Sequence, residues 1–113
     1  MQALVDLTLE ARRRFREGAG AGGRELLVAA SIGPYGAALH DGSEYRGDHG
    51  LGVEPLLEFH RPRFEVLREA GADFLACETI PSLEEARALL RLLQDREGTA
   101  AWFRFCCRDA LHI

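Results

Sequence analysis

The stretch "AGADFLACETIPSLEEARALLRLLQ", Ala70–Gln94, decides the fold. Its first part, "ADFLAC", is a short apolar run of strand length. Its second, "PSLEEARALLRLLQ", has a helix start written into it, because Ser82 and Glu85 stand at the spacing of a capping box. The helix that follows is expected to bury Leu83, Ala86, Leu90 and Leu93. Between the two parts lie Cys77 and Glu78. A strand that only filled a core would end on turn residues, so a thiol and a carboxylate at this point need a reason.

Outward from this unit the alternation of strand and helix repeats. Upstream, "ELLVAAS" contains the unbroken apolar run Leu26–Ala30, the pattern of a strand covered on both faces. Before it, Leu4, Leu7, Ala11 and Phe15 recur at helical spacing over Ala3–Glu17, and the glycine-rich run Gly18–Gly23 stops that helix. Between "ELLVAAS" and "DFLAC", Leu56, His60, Phe64 and Leu67 line up as a helical stripe, with Pro62 as either a kink or the first turn of a second helix. Downstream, "TAAWFRFCCRD" is rich in aromatics and predicts a third strand. The order is helix, strand, helix, strand, helix, strand, with strand centres near Val28, Leu75 and Phe103. Helical crossovers between buried strands call for parallel pairing, hence an α/β architecture in one domain over residues 1–113. Polar chemistry follows each strand ("SIGPYG", "CET", "CCRD"), at the carboxyl ends where such folds bind ligands.

Composition narrows the function. A net charge of −4 in 113 residues gives no basic face for nucleic acid or an anionic membrane. All 14 basic residues are arginine, which rules out a Schiff-base or P-loop lysine. Three cysteines, two of them adjacent, make a poor disulfide framework and suit reduced thiols in a cytoplasmic protein. The opening "MQALVDLTLEARRRF" interleaves charges with apolar residues, unlike a signal peptide or a membrane span.

Among candidate site residues Glu78 comes first, because a carboxylate at the mouth of parallel strands can bind an ammonium group or act as a base. Its bland role is to cap the next helix or pair with an arginine. Cys77 must point to the opposite face and reads as core. Cys106 and Cys107 diverge along a strand and make no recognised metal spacing with Cys77 or His112, so they read as inert thiols. The long segment Ser31–Gly50 places Tyr35, Asp41, Ser43, Glu44, Tyr45 and Arg46 where a ligand could meet them, or where a solvated loop would simply turn. His60, on a helical stripe, reads as a packed, hydrogen-bonded histidine. No Walker loop, GxGxxG, HExxH or nucleophile elbow is present.

Taken together, "VAASIGPYGAALHDGSEYRG", "EFHRPRFEVLREAGADFLACETIPSLEEARAL" and "AWFRFCCRDALHI" resemble the homocysteine S-methyltransferase family, in the branch that uses S-methylmethionine or S-adenosylmethionine as methyl donor. The resemblance runs from about Leu4 onward. It implies a (β/α)₈ barrel in which zinc, held by three cysteines, presents the homocysteine sulfur as a thiolate that attacks the sulfonium methyl, giving methionine. It implies that Glu78, in the "ACETIP" motif, holds the substrate amino group; Thr79 beside it and Tyr35 in the long segment are expected as further substrate contacts. The family's zinc cysteines belong to "GxNC" and "GGCC" stretches that this sequence lacks, so no metal ligands are assigned here, and "AWFRFCC" fits the fifth-strand motif better than the late cysteine pair.

A whole barrel takes about 250 residues. The expectation is therefore a partial (β/α)₈ TIM barrel of about three consecutive parallel strands, an internal or truncated piece that is inactive in methyl transfer by itself and prone to self-association or aggregation. Two other readings stay open at this point: a fragment of another α/β-barrel enzyme, a lyase or hydrolase using Glu78 as base, and a non-catalytic remnant that binds an amino acid or a partner chain.

Overall fold

The computed structural model describes residues 2–18, 24–39, 50–107 and 109. Three strands, β1 (Ala29–Ile32), β2 (Phe74–Ile80) and β3 (Ala101–Phe105), form one parallel sheet in the order β1-β2-β3. Helix α1 (Gln2–Glu17) precedes β1, α2 (Val53–Glu69) links β1 to β2, and α3 (Leu83–Gln94) links β2 to β3. A short 3₁₀ helix, Tyr35–Leu39, follows β1. Asp41, Ser43, Glu44, Tyr45 and Arg46 lie outside the described residues.

Alternation along the strands gives the sheet two unlike faces. Ala30, Ile32, Leu75 and Cys77 point to one side, where they form a core with Leu56, Leu57, Phe64 and Leu67 of α2 and Ala88, Leu89 and Leu92 of α3. On the other side Phe74 and Trp102 meet with ring centroids 4.7 Å apart, and Trp102 stays exposed.

Each crossover is set by local chemistry. Helix α2 runs unbroken through Pro62. Proline removes the hydrogen bond to the carbonyl four residues back, but Glu58 and Pro62 both lie on the exposed face, where water can serve that carbonyl. The chain leaves α2 through Gly71 at φ +92°, a left-handed conformation that glycine adopts without steric cost. Helix α3 begins where the capping spacing predicts: Ser82 Oγ accepts the Glu85 N–H at 3.2 Å. Asp73 ties the amino-terminal ends together. Its carboxylate accepts the Val28 N–H at 2.6 Å and meets Arg12 at 2.5 Å, and these partners hold its pKa below the usual value.

Three expectations are corrected. The first strand begins at Ala29, not Leu26, and it buries alternate residues only, since described helices cover one face of the sheet. On α1 the stripe Leu4, Leu7, Ala11 and Phe15 is exposed; Val5 is buried and Leu9 packs at the edge of the core. On α3 the buried residues are Glu85, Ala88, Leu89 and Leu92, while Leu83 and Leu90 face outward. Leucines and alanines cover a broad arc of that helix, opposite Glu84, Arg87 and Arg91, so spacing alone admits more than one stripe within the arc, and contact with α2 and the sheet decides which is covered.

Candidate functional site

Parallel pairing brings the carboxyl ends of all three strands to one rim, and β2 is irregular there. Cys77 pairs with Phe103 and Ile80 with Phe105, so Glu78 and Thr79 together face Arg104 alone. This is a β-bulge, a device that re-aims side chains and often borders functional sites. Thr79 sits at φ 59°, the one non-glycine residue with positive φ among those described. A β-branched residue rarely adopts that conformation, so the bulge stores local strain.

The bulge opens a cleft of about 270 Å³ lined by Glu78, Thr79, Arg104, Phe105 and Cys106. Glu78 follows the buried Cys77 and therefore emerges on the face away from the helices. Its side chain is 34% exposed, and Arg104 Nη1 lies 3.5 Å from Glu78 Oε1, at the outer limit of a hydrogen bond. The cleft thus holds one carboxylate and one guanidinium whose mutual contact is loose. An anion beside a cation at that spacing can receive a dipolar ligand.

The helix-covered side of the same sheet carries different chemistry. Burial pushes the Cys77 thiol up to about 12, which leaves it protonated and unreactive at neutral pH. Further out, the fully buried His60 and Glu85 pair, with Nε2 2.7 Å from Oε1. The same carboxylate oxygen accepts the Tyr35 N–H. His60 Nε2 and the Tyr35 N–H thus converge on one carboxylate oxygen. Tyr35 then stands edge-on to Phe59 at 4.9 Å, and Arg63 lies over the Phe59 ring at 4.4 Å. Glu85 therefore pins the segment after β1 onto α2 and α3.

A family model described as homocysteine S-methyltransferase matches residues 1–112. The chain belongs to that family. A homocysteine S-methyltransferase of Bacillus subtilis, YbgG, is 60% identical over 87 residues, covering 77% of this chain and 28% of the relative. The homocysteine S-methyltransferase of Escherichia coli is 50% identical over 115 residues, covering 99% of this chain and 37% of the relative. The chain thus spans about a third of the length of these curated relatives. The crystal structure of the E. coli homocysteine methyltransferase MmuM in its metallated form superposes with a TM-score of 0.83 over 99% of this chain and 40% of that one, at 50% identity. With three parallel strands linked by helices and that match, the fold expected from the sequence, a partial (β/α)₈ barrel, stands.

The metal of that relative is not accommodated by the residues described here. No three His, Cys, Asp or Glu side chains converge among the described residues. Cys77 faces the helices, Cys106 is half-buried at the cleft and Cys107 is exposed. Of the substrate contacts expected from the sequence, Glu78 and Thr79 come together in the cleft, whereas Tyr35 packs against α2 and is not among the residues lining it. Sequence reasoning passed over Arg104, whose place two residues after the aromatic Trp102 puts it on the same face as Glu78. It also read Glu85 as a capping residue alone. No sequence signal connects Glu85 with His60, since 25 residues separate them.

Proposed function

We propose that this chain forms the amino-acid-binding rim of an enzyme that transfers a methyl group from S-methylmethionine or S-adenosylmethionine to homocysteine in the cytoplasm, yielding methionine. The observation that carries the reading is the position of Glu78: on the open face of the sheet, at the carboxyl end of β2, on a bulge. In this reading its carboxylate takes the substrate ammonium, Thr79 shapes the cleft beside it, and Tyr35 borders the rim from the segment that Glu85 holds. The homocysteine sulfur, free of its proton, forms a new S–C bond as the S–C bond of the donor sulfonium breaks. The metal, proposed to be zinc, would be held by residues other than those described.

Family membership favours methyl transfer over a lyase or hydrolase that uses Glu78 as base. The partner is a small amino acid, with neither nucleic acid nor membrane involved, and among the described residues no helix is long and apolar enough to cross a membrane. Self-association is part of the proposal, driven by the exposed Leu4, Leu7 and Phe15 on α1 and by Leu83, Leu90 and Phe105 at the other end of the sheet.

Calorimetric titration of homocysteine into the protein and into Glu78→Gln tests the assignment. A hydrogen bond to a charged group contributes about 1.5–3 kcal/mol, so the variant should bind roughly tenfold or more weakly. Equal affinity in both proteins would remove Glu78 from the site.

A further inference from the structure

Glu78 accounts for half of an α-amino acid. Homocysteine carries an ammonium and a carboxylate on one carbon, and a cleft offering only an anion would repel the second group. Arg104 is the cation that stands beside Glu78. It lines the same cleft, and the bulge sets it opposite Glu78 and Thr79 together. Other arginines are committed elsewhere, Arg12 to Asp73 at 2.5 Å, Arg96 to Glu65 at 2.8 Å and Arg14 to Glu10 at 2.9 Å, and none of them lines this cleft. The Arg104 side chain is 74% exposed and meets Glu78 only at 3.5 Å, so its planar fork can turn toward an incoming carboxylate with little lost.

We infer that Arg104 is a specificity-determining residue, binding the α-carboxylate of the substrate while Glu78 binds its ammonium, so that the cleft selects zwitterionic amino acids over simple aminothiols. The inference rests on the assignment of Glu78 to the substrate ammonium. In the free protein the two side chains neutralise each other loosely; the ligand enters between them and exchanges one long contact for two charge-assisted ones. Guanidinium geometry matters as well as charge, because two parallel N–H groups match the two carboxylate oxygens.

The experiment titrates homocysteine and its decarboxylated aminothiol into the wild-type protein, Arg104→Gln, Arg104→Lys and Glu78→Gln, with circular dichroism confirming that each variant folds. Wild type should prefer homocysteine by about tenfold, the size expected for one charge-assisted interaction at a solvated rim. Arg104→Gln should erase the preference by weakening homocysteine alone, leaving the aminothiol within about twofold, and Arg104→Lys should restore part of it. An unchanged preference in Arg104→Gln, with Glu78→Gln weakening both ligands, overturns the role of Arg104 and leaves that of Glu78 intact. If Glu78→Gln changes neither ligand, or the wild-type protein binds neither, the assignment of Glu78 falls and this inference falls with it.

Discussion

Cys77 and Glu78 are neighbours in one strand, yet they belong to two different regions. Cys77 is fully buried against α2 and α3, while Glu78 stands at the edge of an open cleft. Around Cys77, apolar side chains from both helices interdigitate. Around Glu78 the sheet shows exposed Trp102 and Arg104 and a strained bulge. The helix-covered face holds the segment together, and the open face is free to carry polar groups because its stability does not depend on them. One residue of strand register separates the two roles.

The sharpest way to break this contrast is to truncate one large side chain on each face. Leu89→Ala removes a side chain with no exposed surface and should cost about 2–5 kcal/mol, whereas Trp102→Ala, already 48% exposed, should cost less than about 2 kcal/mol. Urea denaturation of both variants measures the difference. Equal losses would mean that the open face contributes to the core as much as the covered one.

The next effect concerns the polar pair within the covered face. Glu85→Ala strands the Tyr35 N–H and His60 Nε2 away from water, and should destabilise by about 1–3 kcal/mol. The double variant His60→Leu with Glu85→Leu should recover part of that loss, since it removes the His60 ring together with its carboxylate partner, while the Tyr35 N–H still loses this acceptor. If Glu85→Ala matched wild type in denaturant, the pair would not be anchoring the segment that carries Tyr35.

How far the sequence reveals these regions depends on the range of the interaction. The start of α3 is legible because a cap is local: Ser82 and Glu85 are three residues apart. The stripe Leu56, His60, Phe64 and Leu67 of α2 is legible because one face of that helix is plainly apolar. The buried face of α3 is not, because Leu83, Ala86, Leu90 and Leu93 extend the apolar arc beyond it and only tertiary contact chooses among the stripes. For the same reason the stripe on α1 stays uncovered: helical spacing reports amphipathicity but not whether a partner is present. At the site, Glu78 stands out as a carboxylate at a strand end. Thr79's backbone conformation and the approach of Arg104 arise from a register shift between strands 26 residues apart, which no local pattern encodes.

The smallest expected effect sharpens the contrast by pH. Burial raises the Cys77 thiol from 9.0 to about 12, so the unfolded chain loses that proton first as pH rises. Its contribution is therefore fully present below pH 9.0 and declines between 9.0 and about 12, by about 1 kcal/mol at the first unit above the lower limit. Stability measured against pH should fall more steeply for wild type than for Cys77→Ala in that range. Parallel curves would show that the thiol is not held in a water-free environment.

The account as a whole claims that ligand recognition belongs to the open face and stability to the covered one. Amide chemical-shift mapping during a homocysteine titration tests this most directly. The prediction is a set of saturable shifts at Glu78, Thr79, Arg104 and Cys106, with Leu89 and His60 unmoved. Shifts centred on α2 and α3, with the rim of β2 and β3 silent, would contradict it.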